Sequence, residues 1–117
     1  MNLIQRGMVI DVNLEPVKGS ETGKIRPCIV ITNNTYNARV PVIQVIPITE
    51  WSEKKSRVVT NCVMEPSADN GLDKRSIADC LQTRPIDWKN RFVRLRGHLS
   101  TGEITLLENA LRIVFAL

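Results

Sequence analysis

Apolar residues fall along this chain in short clusters rather than in long periodic stretches. Residues 8–14, Met-Val-Ile-Asp-Val-Asn-Leu, alternate imperfectly and stop before Glu15-Pro16, where proline disfavours a continuing ladder; a first strand is expected there. Cys-Ile-Val-Ile-Thr at 28–32 and Val-Ile-Gln-Val-Ile-Pro-Ile-Thr at 42–49 are β-branched runs suited to strands buried on both faces, and they should be neighbours in the sheet. Further strands are expected over 57–64 and 76–82, and a last one over 92–99, where Phe92, Arg94, Leu95 and Arg96 alternate well enough. The end of the chain changes period. Ser100-Thr101-Gly102-Glu103 has the capping-box pattern, and Ile104, Leu107, Leu111 and Val114 recur at helical spacing on one face. A helix of about fifteen residues is expected to close the chain and pack on the sheet.

Between these elements the residues favour turns. Pro16, Gly19, Ser20 and Gly23, with Lys18 and Lys24, make 15–25 an exposed loop, and Asn33 to Arg39 is rich enough in local capping side chains for one helical turn. A polar loop is expected over 50–56, a turn over 65–73, and a short turn or single helical turn over 87–91. Short, closely spaced strands with one terminal helix point to an α+β, mainly β fold: a small, strongly bent antiparallel sheet or barrel. No internal repeat, linker or low-complexity stretch interrupts it.

Composition narrows the function. The 117 residues suit one domain spanning 1–117, and 43% hydrophobic with 24% charged residues excludes collagen-like, disordered and disulfide-scaffold classes. The opening Met1 to Arg6 lacks the apolar run of a signal peptide, and no stretch reaches the roughly 18 apolar residues of a membrane span. A cytoplasmic protein is expected. Cys28, Cys62 and Cys80 lie outside metal-ligand or redox spacing and read as reduced, buried thiols. The net charge of +4 suits a polyanionic partner, and the few aromatics, two Trp, one Tyr and two Phe, argue against a base-stacking platform. Contact with RNA would then lean on charge and backbone shape.

The chain carries no phosphate-binding glycine loop, His-Glu-x-x-His, EF-hand loop or nucleophile elbow. With His98 as its one histidine, a ribonuclease using two imidazoles cannot be built within one subunit. The local feature left over is Gly19-Ser20-Glu21-Thr22-Gly23-Lys24-Ile25-Arg26-Pro27, a basic loop that delivers an arginine at the mouth of a buried strand. Pro27 pushes Arg26 towards extended geometry, where its planar fork could grip a phosphate or pair with a nearby carboxylate.

Taken in order, these pieces resemble a known family. Arg6-Gly7, Gly19-Ser20-Glu21 with Gly23-Lys24-x-Arg26-Pro27, Asn37-x-Arg39, Pro47-Ile48-Thr49, Ser76, Gln82-x-Arg84-x-Ile86-Asp87 and Leu-x-x-Ala-Leu-x-Ile from Leu107 to Ile113 resemble the MazF/PemK toxins almost end to end. The resemblance implies an SH3-like barrel with the terminal helix packed on it, a homodimer, and sequence-specific cleavage of single-stranded RNA with no metal and no cofactor. It also implies a cognate antitoxin that occupies the RNA groove. By the same resemblance Arg26 and Thr49 are the catalytic pair, Ser20 and Glu21 belong to the loop covering the site, and Gln82 lines it. Two departures stand out. Leu81 replaces an acidic residue common in the family, and Asp79, two residues earlier on the same strand face, is the candidate to take over part of its role. Ile10 and Met8 stand where many members carry an aromatic and an acid.

Metal-free RNA cleavage is most readily done by the 2′-hydroxyl attacking the adjacent phosphorus, leaving a 2′,3′-cyclic phosphate and a 5′-hydroxyl, and the resemblance implies that outcome. A guanidinium stays protonated at neutral pH, so Arg26 suits an electrostatic clamp and possible acid better than a base. Thr49 would donate to a phosphoryl oxygen. Sequence preference should come from mobile loops at 18–25, with Lys24, and 50–56, where Trp51 could stack on a base or anchor to the barrel. Lys54, Lys55 and Arg57 are candidates for phosphate contacts. Two alternatives remain open: a non-enzymatic toxin of the CcdB type that binds a protein, and a catalytically dead relative that only binds RNA.

Overall fold

The computed structural model describes residues 4–117, so Met1 to Leu3 of the amino-terminal segment read above lie outside the described residues. Among the described residues, seven strands form an antiparallel, barrel-like sheet: β1 (Met8–Asn13), β2 (Ile25–Val30), β3 (Val42–Glu50), β4 (Asn61–Met64), β5 (Ser76–Asp79), β6 (Arg84–Asp87) and β7 (Phe92–His98). Their order is β4-β5-β3-β2-β1-β7, with β6 also paired to β3. Helical turns α1 (Asn34–Asn37), α2 (Glu53–Ser56) and α3 (Trp88–Arg91) sit in the connections, and α4 (Thr101–Phe115) ends the fold.

The apolar runs are buried on both faces, as expected, because the sheet separates two cores. Val9, Ile29, Ile46 and Ile48 pack beneath α4 against Leu107 and Ala110. Their neighbours Ile10, Val12, Cys28, Val30, Ile43 and Val45 point the other way, into a core completed by Leu14 and Ile86. The terminal helix forms as its spacing requires. Ser100 accepts from the Glu103 N–H, Glu103 reaches back to the Ser100 N–H, and Leu107 is fully buried, with Ile104, Leu111 and Val114 half-buried beside it. Complete burial of such a leucine contributes about 1.5–3 kcal/mol.

Strand β3 organises the site. One edge pairs with β2 through Val45, Ile46 and Pro47; the other pairs with β6 through Val42 to Val45 and then with β5 through Ile48 to Glu50. A 3-10 turn, Cys80–Gln82, carries the chain from β5 to β6 along that edge. Pro47, which has no N–H to offer a ladder, stands where the partner changes.

The structure departs from the sequence reading in four places. Strand β2 starts at Ile25, inside the expected loop, so Arg26 is a strand residue. The strand expected over 57–64 begins only at Asn61, because Val58 and Val59 are exposed and follow a helical turn capped by Ser52 within the expected polar loop 50–56. The strand expected over 76–82 stops at Asp79. Strand β6 was not foreseen; it holds Pro85 and buries Ile86 alone, too little pattern to stand out.

Candidate active site

Arg26 is the second residue of β2 and Thr49 the eighth of β3. The β2–β3 ladder ends at Cys28 opposite Pro47, and Arg26 and Thr49 each lie two residues beyond that last pair. Both line a hollow of about 360 Å³ with Glu21, Thr22, Gly23, Lys24, Glu50 and Lys55. Arg26 donates through Nε to the Gly23 carbonyl at 2.9 Å. Among the described residues, its two terminal nitrogens and the Thr49 hydroxyl have no hydrogen-bond partner. A planar fork and a hydroxyl are therefore left facing one space, with Lys24 and Lys55 adding positive charge. This arrangement fits a phosphodiester.

Two further hollows adjoin this one. A smaller space of about 170 Å³ shares Arg26, Thr49 and Glu50 and adds Asp73, Lys74, Ser76 and Arg96. A larger one of about 450 Å³ shares Glu21 and adds Lys18, Leu81, Gln82 and Arg84. Linked through shared residues, the three make a groove along the strand ends. Glu50 is exposed and hydrogen-bonded to Lys74 at 3.2 Å, which holds its carboxyl below the usual range. Lys74 and Arg96 escaped the sequence reading because only the fold brings β7 and the 65–75 segment to the site.

The loop over the site is held by hydrogen bonds at several points. Leu14 N–H donates to the Lys24 carbonyl, Lys24 N–H to the Glu15 carboxylate, and Arg91 to the carbonyls of Asn13 and Glu15. Glu21 accepts from the Lys18 N–H at 2.6 Å. Gln82 spends both ends of its amide on this loop: Oε1 accepts from the Thr22 N–H and Nε2 donates to the Ser20 carbonyl, each at 3.2 Å. Ser20 thus serves the site through its backbone.

The other candidates are placed less centrally. Asp79 heads the 3-10 turn facing the N–H groups of Leu81 and Gln82, lines none of the three hollows, and has its pKa raised by burial. Lys55 reaches the site and donates to the Glu50 carbonyl at 3.3 Å. Lys54 is exposed on α2 and lines none of the hollows, and Arg57 is exposed and paired with Glu53 at 2.6 Å. Trp51 carries the Arg75 guanidinium 4.6 Å above its ring, which occupies one stacking face. Among the described residues, no three His, Cys, Asp or Glu side chains are grouped to hold a metal ion. Among the described residues, no helix is long and apolar enough to cross a membrane.

Residues 5–115 match the family of PemK-like, MazF-like toxins of type II toxin–antitoxin systems. The chain belongs to this family. Over 115 residues it is 36% identical to Endoribonuclease MazF of Staphylococcus saprophyticus and 35% identical to that of Staphylococcus epidermidis, covering 98% of this chain and 93% of each relative. MazF from Deinococcus radiodurans has the same fold, with a TM-score of 0.82 at 18% identity over 97% of both chains. An endoribonuclease in complex with its cognate antitoxin, from Mycobacterial species, superposes with a TM-score of 0.75 at 18% identity over 96% of this chain and 94% of that one. In this MazF-like toxin the Arg-Pro step and the Ile-Thr pair of the family resemblance meet at one hollow, and Gln82 lines the adjoining one while its amide bonds to the loop.

Proposed function

We propose that this chain is the toxin of a type II toxin–antitoxin system and a sequence-specific endoribonuclease for single-stranded RNA, acting without a metal. The observation that carries the reading is the guanidinium fork of Arg26 beside the hydroxyl of Thr49, both without a hydrogen-bond partner among the described residues. Relatives named Endoribonuclease MazF at 36% and 35% identity support it.

In the proposed reaction a phosphodiester lies over the ends of β2 and β3, its two non-bridging oxygens held by Arg26 and Thr49. The 2′-hydroxyl attacks the phosphorus in line, and charge growing on the phosphoryl oxygens meets donors already in place. The products are a 2′,3′-cyclic phosphate and a 5′-hydroxyl. Bases to either side fall along the groove, where Glu21, Lys24 and the backbone of the latched loop meet them. The protein works in the cytoplasm as a homodimer, and a cognate antitoxin covers the groove. The antitoxin complexes solved for fold relatives support an antitoxin partner.

The test is incubation of the purified protein, in EDTA, with a long mixed-sequence single-stranded RNA, mapping cut sites and end groups beside an Arg26→Ala control. Discrete cuts with cyclic-phosphate and 5′-hydroxyl ends, absent from the control, are expected. A well-folded protein that cuts nothing, or cuts only after a divalent metal is restored, overturns the reading.

A further inference from the structure

Cys62 and Cys80 look unrelated in the sequence, yet the fold sets them side by side. In the β4–β5 ladder Asn61 pairs with Asp79 and Cys62 with Ala78, and the Cys80 N–H donates to the Thr60 carbonyl at 3.2 Å. Cys62 is therefore diagonal to Cys80 across the ladder. Both pack into the core beneath α4, where the Cys62 thiol donates to the Leu106 carbonyl at 3.5 Å and the Cys80 thiol to the Ala78 carbonyl at 3.9 Å.

Their surroundings differ in a way that suits redox chemistry. Cys80 is fully buried, whereas Cys62 opens onto a groove of about 350 Å³ between β4 and α4, beside Val59, Leu106 and Ile113. The neighbouring Cys80 thiol lowers the pKa of Cys62, and the same neighbour, with burial, raises that of Cys80. Cys62 is thus the accessible nucleophile and Cys80 the resolving thiol. Cys28, the third cysteine, lies in the other core with its pKa pushed up by burial to about 12.

We propose that Cys62 and Cys80 are a peroxide-oxidisable dithiol that closes into a reversible disulfide, and that closure slackens the loop over the site. The Cys62 thiolate attacks one peroxide oxygen; the O–O bond breaks, and the departing hydroxide takes up a proton to leave as water, with a sulfenic acid on Cys62. Cys80 sulfur then attacks Cys62 sulfur, the S–O bond breaks, and the departing hydroxide takes the Cys80 proton. Two thiols and one peroxide give one disulfide and two waters.

The link to the site is short. A disulfide needs Cα atoms about 4.4–6.8 Å apart, whereas diagonal cross-strand residues stand at about 7–8 Å. Closing the bond therefore draws Cys80 towards β4. Cys80 opens the 3-10 turn that ends at Gln82, and both Gln82 bonds to the loop are already 3.2 Å long. Moving the turn weakens that hold on Ser20 and Thr22.

The reduced protein is treated with hydrogen peroxide at neutral pH, alkylated with iodoacetamide and analysed by peptide mass, with backbone hydrogen exchange followed in parallel. Expected are a linked Cys62–Cys80 peptide lacking two hydrogens, a free Cys28, and severalfold faster exchange across residues 18–24, all reversed by dithiothreitol. C62S and C80S should form no link and keep the slow exchange; C62S, at the more accessible position, guards against misfolding of C80S. Over-oxidation of Cys62 with no link, or a link that leaves exchange at 18–24 unchanged, overturns the proposal. RNA cleavage by oxidised wild-type protein should fall severalfold and recover on reduction. That readout alone rests on the ribonuclease reading: a protein that never cuts RNA defeats that reading, while the peptide and exchange results still judge the disulfide.

Discussion

Two groups of arginines near the sheet ends use the same side chain in opposite ways. Between β1 and β7, Arg94 and Arg96 each place Nε 2.6 Å from the carboxylate of Asp11, itself only 6% exposed. Arg96 also donates to the Gly71 carbonyl at 3.0 Å and to Asp73 at 3.2 Å. At the end of β2, Arg26 spends one donor of five on the Gly23 carbonyl and leaves its fork open. The first group is a staple joining β1, β7 and the 65–73 segment. The second is a gripping point held in place by a single bond. The partner separates them: Arg94 and Arg96 face a buried carboxylate that neutralises them, whereas Arg26 meets only a neutral carbonyl and keeps its charge and fork for a phosphate.

The sharpest way to break this contrast is Arg26→Ala. Cleavage of RNA should fall at least about 10³-fold while thermal stability holds, and Arg26→Lys should restore little, since a point charge cannot replace the fork. Next comes Thr49→Val, which keeps the shape and removes the donor; a loss of about 10²–10³ in kcat is expected from single-turnover cleavage. Asp11→Ala should do the reverse. It leaves Arg96 short of its buried partner and should cost about 2–4 kcal/mol in denaturant unfolding, reduced from a fully buried pair because Arg94 is 61% exposed. The folded fraction should still cut RNA; loss of cleavage without loss of stability would erase the distinction between the two groups. The smallest effect is expected from Arg57→Ala, whose pair with Glu53 is more than 70% exposed on both sides. Stability should change by less than about 1 kcal/mol, and cleavage hardly at all.

Much of the fold was legible because it rests on local pattern. An imperfect alternation ending at Glu15-Pro16 announced β1, runs buried on two faces announced β2 and β3, and the Ser100–Glu103 box with its helical spacing announced α4. What escaped has physical reasons. Arg84-Pro85-Ile86-Asp87 becomes a strand because half of β3 has an open edge there, a fact held by residues 42–45. Val58 and Val59 carry strand propensity without burial, and so β4 starts later than they suggest. At the site, resemblance singled out Arg26 and Thr49, but their apposition needs the β2–β3 register. The role of Gln82 was visible only once its amide could be followed to Ser20 and Thr22. Asp11 gave no hint either, since its partners lie at the far end of the chain.

That distance has a consequence for how the molecule comes into being. Strand β1 pairs on one side with β2, soon after it in sequence, and on the other with β7, near the end. Gly97 makes the last join close: a Cβ there would run into the Asp69 carbonyl, and the neighbouring His98 N–H bonds that same oxygen at 2.7 Å. Contacts between such distant segments form late, because a long loop must be closed before they return any stability. A chain growing from its amino terminus therefore holds both Arg26 and Thr49 long before β7 exists to close the sheet around them. Until then β1 keeps an open edge and Asp11 has neither arginine. The order of synthesis defers completion of the groove until β7 has brought Arg96 to it.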